Sequence, residues 1–317
     1  MKYDAVINGY VSMDHIIKVS SPAQNGYTSI VTNSDHNKIY YGGCSVNIAV
    51  ALCRLGRKVL PILRVGSDYE SCGFKDFLEK SNVPLEGISI LPQETTSSCY
   101  LIEDNHNEHI TIYYPGSMDK KYAVSPQDSF FQNAGLGIIT VASKPDNEFF
   151  LKQCEKYQVP VVFGMKDDFD AFPVEFLKKI LIQSRIIFMN ETEREIIEKL
   201  FGCSSVSRLF EIGKAETIIT TMGEAGSICY HKNESAGMET YQINACPVDK
   251  VVDVTGAGDA YMAGFLYGYL NRKPVKECCC LGSALSSFVL QGIGCCTNIP
   301  EKAELEEKVE MLHRRCE

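Results

Sequence analysis

Asp253-Val254-Thr255-Gly256-Ala257-Gly258-Asp259 joins a β-type run, Lys250-Val251-Val252, to an apolar, small-residue stretch from Ala260 to Leu270. The pattern reads as strand or loop, tight glycine turn, then helix. The first N–H groups of a helix have no partner in its own ladder and lie at the positive end of its dipole. Glycines there let an anion such as a phosphate come close to the backbone. Asp259 falls in the first helical turn, beside that anion site. Charge complementarity does not account for a carboxylate next to a phosphoryl group. A base for the hydroxyl that attacks the phosphoryl group does. Aspartate is also a common helix cap, so the remaining chain has to decide between the two.

The elements that position this motif follow from periodicity. Ala5 to Tyr10 reads as a buried strand, and Asp14 follows its carboxyl end, where ligands collect in open α/β sheets. Gly42-Gly43 opens an amphipathic helix with Ile48, Ala49, Ala51, Leu52 and Leu55 on its apolar face and Gly56 at its stop. The glycine pair allows close backbone approach to a ligand. Asn47 offers hydroxyls both a donor and an acceptor. Residues 16–41 alternate polar and β-branched side chains, and Thr96 to Glu103 with His109 to Tyr114 form a hairpin around the polar tip 104–108. A helix is expected over Tyr69 to Ser81 and another over Val206 to Gly213. From Gly137 onward strands and helices alternate, which predicts an α/β fold with a mainly parallel central sheet and helices on both faces. The chain reads as one domain over 1–317 with a small antiparallel sheet inserted as a lid, from about 12–41 and 95–118.

Bulk properties exclude several classes. The 317 residues carry 31 Lys and Arg against 40 Asp and Glu, a net charge of -9, which argues against nucleic-acid binding. No apolar run is long enough to span a bilayer, and the N-terminus is too short and polar for a signal peptide, so no membrane partner and a cytoplasmic location are expected. The 14 cysteines include no C-x-x-C spacing, and the runs 278–280 and 295–296 read as small buried hydrophobes rather than as metal ligands or disulfides. His106 and His109 read as part of a hairpin tip. A Walker A loop is absent, and Gly256-x-Gly258 lacks the third glycine of a dinucleotide fingerprint.

Four stretches together resemble the ribokinase family, the phosphofructokinase-B type of sugar and nucleoside kinases. Gly42-Gly43 through Asn47-Ile48-Ala49-Val50-Ala51-Leu52 to Leu55-Gly56 is similar to its N-terminal signature, and Asp253 to Ala260 to its C-terminal one. Asn190-Glu191-Thr192-Glu193 is similar to its Asn-x-x-Glu pattern, and Thr221-x-Gly223-x-x-Gly226 to its nucleotide-side turn. The resemblance implies a ribokinase-like fold and ATP-dependent phosphorylation of a primary hydroxyl. It implies Asp259 as general base, with the N–H groups of Gly256, Ala257 and Gly258 as the anion hole. Asp14, Gly42, Gly43 and Asn47 would hold the acceptor's hydroxyls. Glu193 with Asn190 would order water around Mg²⁺ and the ATP phosphates, and Thr221, Gly223 and Gly226 would border the nucleotide. Asp253 and the Thr255 carbonyl, completed by Gly294 and Asn298, would form a monovalent-cation site suited to K⁺.

Tyr113-Tyr114-Pro115-Gly116-Ser117-Met118 resembles a segment of the adenosine and nucleoside kinase branch. It would put Ile112 or Tyr113 over the substrate, where an aromatic ring stacks on a base. Ala142-Ser143-Lys144 stands where sugar kinases of the family carry a glutamate. A nucleoside acceptor is therefore expected, with a fructokinase- or ribokinase-like sugar kinase as the alternative. A non-catalytic binding protein and a dinucleotide-dependent oxidoreductase stay open as other classes. Lys166, Asp167 and Asp168 have no assigned role. Exposed lid edges suggest a homodimer through the lid.

Overall fold

Uninterrupted β-branched and apolar runs such as Ala5-Val6-Ile7 and Ile186-Ile187-Phe188 suit strands covered on both faces, and these residues are fully or almost fully buried. The computed structural model describes residues 2–106, 109–233 and 237–316. In chain order, β1 (Tyr3–Asn8), β2 (Ser12–Lys18) and β3 (Tyr40–Gly42) lead to α1 (Cys44–Arg54). Next come β4 (Val59–Gly66), α2 (Phe74–Lys80), β5 (Ile88–Leu91), β6 (Ser98–Glu103) and β7 (His109–Tyr114). The middle of the chain holds α3 (Asp128–Phe131), β8 (Ala134–Ile139), α4 (Lys144–Tyr157), β9 (Val161–Gly164), α5 (Val174–Gln183) and β10 (Ser184–Asn190). It continues through α6 (Glu191–Phe201), α7 (Leu209–Ile212), β11 (Thr217–Thr221), β12 (Ser227–Asn233) and β13 (Gly237–Ile243). The last helices are α8 (Ala257–Leu270), α9 (Val275–Val289) and α10 (Lys302–Cys316).

Among the described residues the strands form a nine-stranded sheet, order β13-β12-β11-β10-β9-β8-β1-β4-β5, and a four-stranded sheet, order β3-β2-β6-β7. The large sheet is parallel from β11 to β5, and its β12 and β13 are antiparallel additions at one edge. Two apolar clusters cover it, one built with α1, α8 and α9, the other with α4, α5 and α6. Burying one Leu, Ile or Phe side chain contributes about 1.5–3 kcal/mol, so each layer holds its helices firmly. The α/β class with helices on both faces stands as expected.

Helix α8 is the keystone of one layer. Every residue from Ala260 to Gly268 is buried, as expected of a helix that is apolar all round. A Cβ at Gly264 would lie 2.4 Å from the Leu281 carbonyl oxygen. Glycine there lets α8 and α9 touch backbone to backbone, and this contact holds the α8 N-terminus in place.

Three expectations need correction. The small sheet is mixed, not antiparallel: β2 runs parallel to β6, while β3 and β7 pair antiparallel to them. Of the two readings left open before Asp253, strand or loop, the loop is found: Val251 and Val252 are 45% exposed, and the Val252 N–H donates to the Leu290 carbonyl at the end of α9. β-Propensity without a neighbouring strand does not make a ladder. The helix expected over Tyr69 to Ser81 shortens to α2, because Gly73 sits at φ 83° and breaks the first turn. The helix expected over Val206 to Gly213 splits into a 3-10 turn, Val206–Arg208, and the short α7. Of the hairpin tip, Asn107 and Glu108 lie outside the described residues. The cysteine runs are buried as expected, and the cysteines from Cys44 to Cys296 are free thiols.

Candidate active site

Gly256 caps α8 at φ 77°, and a Cβ there would lie 2.7 Å from the Cys295 sulfur. Both the left-handed backbone and the space admit only glycine. The helix ladder starts with the Ala260 N–H, which donates to the Gly256 carbonyl at 2.8 Å. The Ala257 N–H is turned back onto the Val254 carbonyl at 3.3 Å. Of the expected anion hole of Gly256, Ala257 and Gly258, the Ala257 N–H is thus already engaged, and the N–H groups of Gly258 and Asp259 are the ones that precede the ladder. A Cβ at Gly258 would meet nothing within 4 Å, so an anion has open access to this end of the dipole.

Asp259 does not act as a side-chain cap of its own helix. Its Oδ2 accepts a hydrogen bond from Asn47 Nδ2 at 2.8 Å. Asn47 is buried in the first turn of α1, and its Oδ1 accepts from the Cys296 thiol at 3.4 Å. With that oxygen occupied, the amide must present its NH₂ to Asp259. The carboxylate is thus aimed by a side chain far away in the chain.

Asp259, Gly258, Cys44, Lys166, Asn190 and Glu193 line one pocket. Lys166 is exposed to it, and its ammonium pKa is pushed above the usual lysine range by Cys44, Asp259 and, less, Glu193. Burial pushes the Cys44 thiol far up, so that thiol is neutral at neutral pH and the two carboxylates are the operative partners. Asn190 and Glu193 form a capping box at the start of α6. The Asn190 N–H donates to Glu193 Oε2 at 2.7 Å, and the Glu193 N–H donates to Asn190 Oδ1 at 2.8 Å. This structural duty coexists with a place in the pocket wall. Burial raises the Glu193 pKa, opposed by the Asn190 hydrogen bond and Lys166.

An adjoining pocket shares Thr221 and Gly258 with the first and adds Gly223, Gly226, Tyr261 and Ser283. Gly226 turns at φ 87°, where a Cβ would lie 2.0 Å from the Ile243 carbonyl oxygen.

On the other side of Asp259, a Cβ at Gly42 would stand 2.7 Å from Asp14 Oδ2 and 3.5 Å from Asn47 Oδ1. Gly42 therefore sits between these two side chains. Gly43, at φ 94°, packs against the Tyr10 carbonyl. Burial drives the Asp14 pKa up to about 6, against the opposing hydrogen bond from the Ser12 hydroxyl, and Asp253 adds repulsion. In the small sheet Asp14 pairs Cys99, and Cys99 pairs Tyr113. Paired residues share a face, so Tyr113 shares its face with Asp14. The neighbouring Ile112 is 53% exposed on the opposite face. The Tyr113 hydroxyl reaches the Val11 carbonyl at 3.5 Å, and its ring meets Tyr10 at 5.1 Å between centroids.

Asp253 ties two loops together: Oδ1 accepts from the Thr255 N–H at 2.8 Å and Oδ2 from the Gly294 N–H at 2.9 Å. Asn298 is not drawn into this pair; its Nδ2 donates to the Phe288 carbonyl at 2.6 Å.

Sequence reasoning named Asp259, Asn47, Gly42, Gly43, Asp14, Glu193 and Tyr113, and all are found around this cleft. It missed the part played by Lys166, the thiols of Cys44, Cys295 and Cys296, and Tyr10. Lys166 follows β9 at the carboxyl edge of the sheet, a position that would have signalled it.

A nucleoside kinase of Methanocaldococcus jannaschii is 30% identical over 309 residues, covering 95% of each chain. The crystal structure of a nucleoside kinase from that organism, an archaeal member of the ribokinase family, matches with a TM-score of 0.85 at 26% identity, over 98% of this chain and 99% of that one. A Burkholderia thailandensis nucleoside kinase in complex with inosine shares the fold, with a TM-score of 0.85 at 22% identity over 97% of this chain and 98% of that one. The family model for pfkB family carbohydrate kinases matches residues 2–302, and the chain belongs to that family, phosphotransferases that act on hydroxyl groups.

Proposed function

We propose that this kinase transfers the γ-phosphoryl group of ATP to a primary hydroxyl of a nucleoside. The observation that carries the reading is the Asn47–Asp259 hydrogen bond beside the open end of α8. It holds a carboxylate where a hydroxyl would meet a phosphoryl group docked on the Gly258 and Asp259 N–H groups. Asp259 takes the hydroxyl proton, and Asn47 keeps the receiving oxygen pointed at it. The helix end and Lys166 neutralise charge on the transferred group without having to reorganise. Asp14 accepts from the acceptor's other hydroxyls, while Gly42 and Gly43 leave room for them. Tyr113, backed by Tyr10, offers a ring face to a base. The similarity to the Methanocaldococcus jannaschii nucleoside kinase supports a nucleoside over a free sugar.

The pocket shared by Thr221, Gly223 and Gly226 suits the nucleotide. Among the described residues no three acidic, His or Cys groups cluster into a metal cage. That fits Mg²⁺, which keeps several waters and is held largely by phosphate oxygens. Glu193, with one oxygen committed to Asn190, has the other for a water of that ion. Mg²⁺, when bound, neutralises phosphate charge. A K⁺ site at Asp253, the Thr255 carbonyl, Gly294 and Asn298 would brace the two loops that Asp253 joins. The reading places the enzyme in the reducing cytoplasm, in keeping with its free thiols. It also carries a homodimer through the small sheet, whose outer face exposes Tyr100, Ile110, Ile112 and Tyr114.

A coupled ADP-release screen over adenosine, inosine, guanosine, cytidine, ribose and fructose tests the function. Turnover with nucleosides is the expected result. Turnover confined to ribose or fructose would replace it with the sugar-kinase reading.

A further inference from the structure

The small sheet is rooted on β4 by a buried ion pair that the chemistry above does not use. Arg64, only 7% exposed, points a full guanidinium fork at Asp146, itself 4% exposed. Nη1 lies 2.5 Å from Oδ1 and Nη2 2.9 Å from Oδ2. The remaining Nε–H donates to the Ser117 carbonyl at 2.9 Å. Ser117 lies in the turn that follows β7, the strand that carries Tyr113. The Ser117 hydroxyl donates back to the Arg64 carbonyl at 2.9 Å. Asp146 belongs to the first turn of α4 and also accepts from the Ser143 hydroxyl at 2.6 Å. One guanidinium therefore bonds the root of a small-sheet strand on one side and a core helix on the other.

Tyr10, which packs on Tyr113, lies beside this pair: burial and then the Asp168 and Asp146 carboxylates push its hydroxyl pKa up to about 12. A buried pair like this is seldom a net source of stability, because desolvation offsets the attraction; its best attested use is to fix one geometry. Lysine could not do the same work, since it lacks the planar fork.

We infer that Arg64, locked by Asp146, is a positioning residue that sets the height of β7 over the cleft and so the place of Tyr113 against the acceptor. The inference rests on the function proposed above for its kinetic consequence. Its structural half stands apart from that reading.

The double variant Arg64→Met with Asp146→Leu removes both charges and leaves no unpaired ion, so folding is retained. Arg64→Met alone would strand the Asp146 carboxylate and is not informative. In the double variant, hydrogen exchange of the β6 and β7 amides is expected to rise about tenfold, with β8 to β11 unchanged. The KM for the acceptor is expected to rise about tenfold or more while the KM for ATP holds. Arg64→Lys should give the same split, more weakly. Unchanged exchange in β6 and β7, or a rise spread over the whole chain, would overturn the lock. Faster exchange with an unchanged acceptor KM would overturn its role in positioning. If the parent enzyme turns over no acceptor in the screen, the proposed function fails, and the exchange measurement still decides the lock.

Discussion

Asp14→Asn separates the cost of the acceptor site from its use. Burial pushes the folded Asp14 carboxyl up to about 6 from its ordinary 3.8. A rise of roughly two pKa units corresponds to about 3 kcal/mol at about 1.4 kcal/mol per unit. The folded state holds this proton more tightly than the unfolded chain does. Stability attributable to Asp14 is therefore full below pH 4, is lost as pH rises from about 4 to about 6, and stays lost above. Asparagine has the same shape and no charge to desolvate. The variant should gain up to about 3 kcal/mol over the parent at pH 8 relative to their difference at pH 4. With an unfolding entropy of about 2.1 cal/mol/K per residue, that is about 4–5 °C in Tm. Comparing the two pH values cancels any change in packing. The same substitution should raise the acceptor KM, because an amide accepts fewer hydrogen bonds from hydroxyls than a carboxylate. Denaturant titrations at pH 4 and pH 8 measure the first effect and steady-state kinetics the second. A variant no more stabilised at pH 8 than at pH 4 would refute the claim that Asp14 is a charge held at a cost for binding.

Three further outcomes are expected. Asp259→Asn should lower kcat by about 10²–10⁴ and leave ATP affinity by calorimetry nearly unchanged, since the anion site is backbone; normal turnover would remove Asp259 as the base. Lys166→Met should cost about 10²–10³ in kcat with little change in the acceptor KM, and a rise in the acceptor KM at constant kcat would move Lys166 from the phosphoryl group to the acceptor. Activity should be severalfold higher in K⁺ than in a large organic cation, and Asp253→Ala should abolish the difference; indifference of the parent to the cation would dismiss the proposed site.

Much of the fold was legible because strand and helix runs carry their own periodicity, and the parallel rhythm from Gly137 onward leaves few alternatives. The errors share a cause. The same cause left strand or loop open at Val251 and Val252, where only the neighbours could decide, and no strand lies beside them. The small sheet read as antiparallel because a hairpin is local, whereas the parallel pairing of β2 with β6 joins segments more than 80 residues apart. Lys166 was left without a role because a lysine after a strand acquires meaning only from the carboxylates that face it.

What the sequence alone determined about this protein is its local machinery. The left-handed Gly256, the open first turn of α8 and the Asn190–Glu193 capping box depend on residues no more than a few positions apart, so backbone sterics and hydrogen bonding dictate them directly. What only the tertiary structure decided is where that machinery points. Asn47 reaches Asp259 across 212 positions and Cys296 reaches Asn47 across 249. The register of β6 against β7 chose Tyr113 over Ile112 as the residue that shares a face with Asp14, and a slip of one residue would have reversed the choice. Such contacts follow from sheet order and strand register, which arise from the packing of the whole chain.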